Sequence, residues 1–220
     1  MGGSQGTMNL YFSHLSLEYQ ELNLPHINGA YWYSEELVKN ILPKIKTDRP
    51  FVTINLPEHC CDRAIVFIHN NLDQRNYAWL SKYKDLICLC SKIETLVNIV
   101  SMLPKAHTVY FPLSIDTNYV KQFKAKRKTR NVCYAGRLGT EPDNLPKDLK
   151  IIGNLPREEL LTEMGKYKTV YATGRCLLEA KCLGCKTVNT SAQQGSEEVL
   201  DNKDAIKILQ KIINEIDVKD

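Results

Sequence analysis

One stretch, residues 167–190, constrains the fold more than any other, because it alternates between strand-forming and helix-forming residues around two glycines. In order, the pattern predicts a strand at 168–172, a turn at Gly174, a helix through Cys182, a stop at Gly184 and a strand at 186–189. This order is typical of a parallel βαβ unit, in which the amino end of the helix faces an anion. Glu179 lies five residues after Gly174, and its carboxylate can accept hydrogen bonds from hydroxyl groups. The segment therefore predicts a site for a ligand that carries both phosphate and hydroxyl groups.

The same alternation extends along most of the chain. Apolar, β-prone runs predict strands at residues 9–13, 51–56, 64–68, 85–90, 108–111, 131–135 and 150–152. Apolar residues at helical spacing predict helices at residues 31–45, 92–102 (with Ser91 as its cap), 156–166 and 202–216. Continuous apolar strands are typical of parallel sheets that are covered on both faces. The pattern predicts an α/β protein with two parallel-sheet halves and a cleft between them.

A basic run at residues 121–130 contains six cations and no acid, and it interrupts the alternation. We take it to mark the domain boundary, and assign residues 8–115 to one domain, 116–202 to a second, and 203–220 to a C-terminal helix. The run has three interpretations: a solvated linker between domains, attraction to an anionic membrane or acceptor, and nucleic-acid binding. Nucleic acid ranks last, because no aromatic residue after Phe123 lies among the cations. Residues 1–7 are expected to be an added leader, with Met8 as the natural start.

Composition excludes two classes of protein. No apolar run approaches the roughly 20 residues of a membrane-spanning helix, and the N-terminus lacks the apolar core of a signal peptide. Several of the eight cysteines lie in apolar runs, as free thiols in a reducing compartment do, so we expect a cytoplasmic protein. Cys182 and Cys185 form a lone CxxC, which favours packing residues over a zinc site.

Four segments together resemble the retaining GT-B glycosyltransferases of family four. The family's signature is a glycine, four residues, Glu-Ala, three residues, a glycine and a strand, and residues 174–188 (GRCLLEAKCLGCKTV) resemble it. Its strand-end Gly-Arg is similar to residues 134–138 (YAGRL), and its Val-Asp segment is similar to residues 115–118 (IDTN). Its Gly-x-x-Pro-x-x-Glu-Leu block is similar to residues 152–160 (IGNLPREEL). The four segments follow the family's order over most of residues 91–200. The chain departs from the pattern twice. Tyr171 stands where the first of two glutamates is expected, and no lysine follows Arg137 closely.

The resemblance implies a GT-B fold, in which two Rossmann-like parallel-sheet domains face a central cleft. It implies transfer of a sugar from a UDP- or GDP-sugar to a glycan, glycoprotein or other hydroxyl acceptor, with retention of configuration, although Tyr171 leaves the stereochemistry open. No cofactor is required and no metal ligands are predicted; magnesium or manganese is compatible with the sequence but not indicated by it. The compact chain also resembles the small glycosyltransferases of large DNA viruses, which would place it in the host cytoplasm.

The resemblance also implies site residues. His69 and Arg137 are the predicted catalytic residues, near the donor sugar and the diphosphate respectively. The predicted donor-binding residues are Asn28, Gly29, Gly136, Arg137, Asn154, Leu155, Gly174, Arg175, Cys176 and Glu179. Gly174 and the amides of Arg175 and Cys176 would meet the phosphates, Arg175 would replace the missing lysine, and Glu179 would bind the ribose. The alternatives are a surface arginine at 137, an ordinary strand-to-helix turn at 174, a solvated Glu179 and a structural His69.

Two other functions remain open at this point. One is a DNA-base glucosyltransferase of viral type, for which the basic run would bind the duplex. The other is a degenerate GT-B domain that binds a glycan or a partner protein without catalysis, and it is motivated by Tyr171.

Overall fold

The computed structural model describes residues 44, 46–47, 49, 51–52, 62–68, 72–136, 142, 145–146, 149–190 and 198–218. The predicted strand at 9–13, most of the predicted helix at 31–45 and the end of the predicted strand at 51–56 lie outside these residues. Four predicted site residues also lie outside them, namely Asn28, Gly29, His69 and Arg137.

Backbone contacts divide the chain into two units. One comprises the residues up to Pro112 together with those from Asn202 onward, and the other is Leu113–Asp201. The C-terminal helix therefore groups with the first unit. The basic run at residues 121–130 falls inside the second unit.

The first unit is built on a four-stranded parallel sheet in the order β1-β2-β3-β4. The strands are β1 (Phe51–Val52), β2 (Arg63–Ile68), β3 (Asp85–Cys90) and β4 (His107–Tyr110), and the helices α1 (Gln74–Leu80) and α2 (Ile93–Met102) connect them. All but the first residue of β2 and of β3 are buried, as the continuous apolar runs predict. Asp73 caps α1 through its side chain. Lys92, not Ser91, occupies the N-cap of α2 and makes no side-chain capping bond, so the predicted Ser91 cap is wrong.

The second unit contains another four-stranded parallel sheet, in the order β7-β6-β8-β9. Its strands are β6 (Arg130–Ala135), β7 (Lys150–Ile152), β8 (Tyr167–Ala172) and β9 (Lys186–Asn189), and its helices are α3 (Thr117–Lys121), α4 (Arg157–Met164) and α5 (Gly174–Cys182). A separate parallel pair, β5 (Ser114–Ile115) with β10 (Leu200–Asp201), precedes α6 (Asn202–Asp217). No helix among the described residues is long and apolar enough to cross a membrane.

Part of the core of the second unit lies between its sheet and α5. Val170 and Ala172 of β8 pack in a cluster with Leu177, Leu178 and Ala180 of α5. Three of the six residues of β8 are buried, so the expectation of strands buried on both faces holds for β2 and β3 but not for β8. Because side chains alternate along a strand, Tyr171 points to the face opposite α5.

Candidate functional site

Most of the described candidate residues lie at the carboxyl edge of the second sheet. Strand β6 runs into Gly136, β7 into Asn154 and Leu155, and β8 into Gly174. All four strands are parallel, so these three strand ends share one edge, where ligands bind in open α/β sheets. The structure thus brings together at one edge residues that are separated by up to 38 positions in the sequence, from Gly136 to Gly174.

The backbone at this edge has two left-handed residues. Asn154 has φ of 53° and Gly174 has φ of 56°; asparagine and glycine adopt this conformation most readily. Apart from its chain neighbours and the backbone of its own helix, a Cβ built on Gly174 would meet no described atom within 4 Å, so the backbone angle and not crowding requires the glycine. Among the described residues, none fills the space beside Gly174 at the start of helix α5.

The amino end of α5 lacks a side-chain cap. Thr173 occupies the N-cap and makes no capping hydrogen bond, and the first turn contains no acidic residue. The amides of the first turn point along the helix axis toward the open edge, and the helix dipole adds roughly half a positive charge there. This end of α5 can accept an anion.

Glu179 is buried and holds two arginines at the edge. Its side chain is 2% exposed, and its Oε1 lies 3.0 Å from Arg157 Nη1 and 3.4 Å from Arg175 Nε. The alternative of a solvated Glu179 is therefore wrong. A buried carboxylate needs such partners, because an isolated charge in a protein core is costly. Its burial thus fixes two guanidinium groups beside the open end of α5.

Arg157 is a site residue that the sequence pattern alone does not predict. This residue begins α4, its side chain is 25% exposed, and its guanidinium lies 5.7 Å from the centre of the Tyr119 ring. A signal was present, because Arg157 follows Pro156 and lies five residues after the end of the strand predicted at 150–152. Only the contact with Glu179, 22 residues away, shows that Arg157 belongs to the site.

Tyr171 lies on β8 beside Tyr134 and Val188 of the neighbouring strands. Alternation along the strand directs its side chain to the sheet face opposite that of Val170 and Ala172, which pack with α5. The register of β8 therefore places the side chain eight residues before Glu179 on the face away from the helix that carries Glu179.

Gly136 is required by a close contact. A Cβ at this position would lie 2.6 Å from Cζ of the buried Tyr134 ring, closer than atoms approach without moving. The glycine lets the ring pack over the strand end, immediately before Arg137.

Two thiols of the second unit, Cys133 and Cys176, are poor nucleophiles at neutral pH. Burial, assisted by the Glu179 carboxylate, raises the pKa of Cys176 to about 11, and burial raises the pKa of Cys133 to about 12. Both groups remain protonated at pH 7, whereas the thiolate is the reactive form. Among the described residues, no group of three or more histidine, cysteine, aspartate or glutamate side chains could hold a metal ion.

Taken together, the edge presents two guanidinium groups and an uncapped helix end, which are donors suited to an anion that carries several oxygens. Comparison of the chain with models of known families and with curated proteins gave no match.

Proposed function

We propose that this chain is a glycosyltransferase that transfers a sugar from a UDP- or GDP-sugar to a glycan, a glycoprotein or another hydroxyl acceptor. The observation that carries the proposal is the pair of arginines held by buried Glu179 next to the open amino end of α5. Two separate parallel sheets support the two-lobed GT-B arrangement that the resemblance implies.

A nucleotide-sugar donor requires neutralisation of its diphosphate. Guanidinium groups match phosphate oxygens with paired N–H donors, and the end of α5 adds its dipole. In this proposal the protein positions the donor and stabilises the departing diphosphate, and no metal ion is needed. Arg137 and His69 keep their predicted roles beside the diphosphate and the sugar.

Glu179 would act in two steps. In the free protein its carboxylate holds Arg157 and Arg175. Arg175 has the longer contact, at 3.4 Å, and its side chain is 42% exposed, so we expect it to turn toward an incoming diphosphate. That movement would release part of the Glu179 carboxylate for the ribose hydroxyls, while Arg157 continues to balance its charge.

The first prediction concerns donor binding. Calorimetric titration with a panel of UDP- and GDP-sugars should give saturable binding for at least one donor. Arg175→Gln should weaken that binding about tenfold or more, because a charge-assisted hydrogen bond to phosphate is lost. Arg127→Gln removes an exposed arginine of the basic run and is the matched control; it should leave the affinity unchanged. Absence of binding by the unsubstituted chain to every donor would contradict the proposal.

Binding without catalysis is the second candidate, and Tyr171 favours it. The family's first glutamate is absent from this chain, and the residue in its place points away from the Glu179 cluster. Mass spectrometry of reactions that contain a bound donor and a set of glycan acceptors separates the two functions. Transferred or hydrolysed sugar supports the enzyme, and intact donor after long incubation supports a binding domain.

A further inference from the structure

The edge of the second sheet opposite the candidate site, where its strands begin, carries a concentration of positive charge. Arg130 begins β6, Lys150 begins β7, Lys168 is the second residue of β8, and Lys186 begins β9. Arg130 pairs with Tyr167, the first residue of β8, and Lys186 pairs with Thr169, the third. Three adjacent strands therefore begin within two residues of one another, each with a cation at or beside its first position.

The basic run packs against this same edge. The backbone N–H of Thr129 donates to the carbonyl of Lys166 at 2.9 Å, and Lys128 Nζ donates to the carbonyls of Gly165 and Leu183 at 2.8 and 2.9 Å. These carbonyls lie in the turns that lead into β8 and β9. A Cβ on Gly184 would lie 3.2 Å from Lys124 Cε. The run thus adds its charges to those of the strand starts.

Among the described residues, the ion pairs of this edge involve one acidic side chain. This residue is Glu163, whose side chain is 17% exposed. Its carboxylate forms ion pairs with Arg130, with Lys166 Nζ at 2.8 Å and with Lys150 Nζ at 3.6 Å. Five further cations are exposed, and the structure gives them no ion pair with a described residue: Lys124, Lys126, Arg127, Lys168 and Lys186. We call these five residues the basic edge.

We propose that the basic edge docks this protein on an anionic phospholipid surface. The charges are spread over the ends of neighbouring strands, which lie about 4.8 Å apart, and over the adjacent loop, so they form an array that matches the many headgroups of a membrane. Each cation near such a surface contributes to binding independently of exact geometry. The inference concerns the edge opposite the donor site and stands whether or not the proposed transferase activity is found.

Single-stranded nucleic acid fits this surface less well, because it requires aromatic side chains on which bases can stack. Phe123 belongs to the basic run, but its ring packs against Tyr119 with the ring centres 5.2 Å apart, and Tyr167 at the same edge is buried. The basic edge itself contains no aromatic residue. Binding should therefore be electrostatic, reversible and sensitive to salt.

Vesicle co-sedimentation tests the proposal. The full chain should bind phosphatidylcholine vesicles that contain about one third phosphatidylserine, and should bind neither pure phosphatidylcholine nor the mixed vesicles at about 0.5 M salt, where screening is strong. Lys126→Gln/Arg127→Gln and, separately, Lys168→Gln/Lys186→Gln should each lower the vesicle partition coefficient about 25-fold, at roughly fivefold per cation. Lys207→Gln/Lys211→Gln removes the same charge from exposed positions on α6 and is the matched control, with no change expected.

Each outcome bears on a defined part of the proposal. Equal loss in both basic-edge variants supports a surface formed jointly by the loop and the strand starts. Loss only in the loop variant, equal loss in the α6 control, or binding to neutral vesicles overturns it. Binding of a DNA duplex to the same protein samples tests nucleic acid as the partner. If the protein binds the duplex in a salt-sensitive way, both variants weaken that binding, and the vesicles remain unbound, the lipid assignment is overturned in favour of DNA.

Discussion

At the scale of single residues, Lys128 shows how one side chain can stabilise two helices. Its ammonium group donates to the carbonyl of Gly165, after α4, and to the carbonyl of Leu183, after α5, and lies 3.1 Å from Cys185 Sγ. The last carbonyls of a helix lack partners within the helix and carry partial negative charge. A lysine from the basic run therefore holds the carboxyl ends of both helices.

Replacing Lys128 tests this role. Lys128→Met keeps much of the side-chain length and removes the donors, and we expect the free energy of unfolding to fall by about 2 kcal/mol, because part-buried carbonyls lose a charged donor. Lys126→Met, at an exposed position two residues earlier, should change it by less than about 0.5 kcal/mol. Urea unfolding followed by circular dichroism measures both. An equal effect of the two substitutions would show that the contacts of Lys128 contribute nothing measurable.

At the scale of secondary-structure elements, an ion-pair cluster connects the starts of β2 and β3 with the end of α6. The Arg49 side chain is fully buried; it pairs with Asp85 and donates to Asp217 Oδ1 from Nε at 3.0 Å and from Nη2 at 2.9 Å. Arg63 Nε donates to Asp85 Oδ2 at 2.9 Å. Burial raises the pKa of Asp85, but hydrogen bonds from Arg49 and Arg63 outweigh burial, and the pKa is lower than that of a free aspartate.

This cluster predicts a dependence of stability on acid. A carboxylate whose pKa is lowered by folding stabilises the folded state above the pKa of the unfolded chain, near 4, and this contribution disappears as the pH falls through the folded pKa. The stability difference between the unsubstituted chain and Asp85→Asn should therefore be constant from pH 7 to about 5 and shrink below about 4. Chemical denaturation over this pH range measures the difference.

The control for this experiment is Asp204→Asn, on the exposed surface of α6, where the carboxylate pairs with Lys207. The free energy of unfolding of this variant should differ little from that of the unsubstituted chain at every pH, because exposed ion pairs contribute little to stability. If the free energies of unfolding of Asp85→Asn and of the unsubstituted chain differed by the same amount at pH 7 and at pH 3, the proposed role of the cluster would be contradicted.

At the scale of the whole molecule, each unit has a hydrophobic cluster of its own. One cluster is built from residues of β2, β3, α1 and α2, and the other from residues of β6, β8, α4 and α5. Both tryptophans, Trp32 and Trp79, precede Pro112 in the sequence. Tryptophan fluorescence therefore reports on the first unit, whereas circular dichroism reports on both.

Separate cores predict separate unfolding. In a urea titration, Lys128→Met should lower the midpoint of a transition detected by circular dichroism and leave the tryptophan fluorescence midpoint unchanged. Asp85→Asn should do the reverse and lower the fluorescence midpoint. Equal shifts of both signals in both variants would instead show that the two units unfold as one.

Local sequence patterns are sufficient to predict the class and order of the elements. Strands at residues 64–68 and 85–90, the helix from Gly174 to Cys182 and the strand at 186–189 agree with the structure to within one residue, because local periodicity and glycine turns control them. The gathering of Gly136, Asn154 and Gly174 at one edge could be predicted too, since parallel strands end together.

Contacts between distant side chains, in contrast, follow from tertiary packing. That packing paired Glu179 with Arg157, turned Tyr171 to the opposite face, and placed the basic run inside the second unit, against the starts of the strands. These facts depend on strand register and on contacts between residues far apart in the chain, which local patterns do not encode. The sequence could therefore indicate a phosphate site, whereas the partners that fix its charge follow from packing.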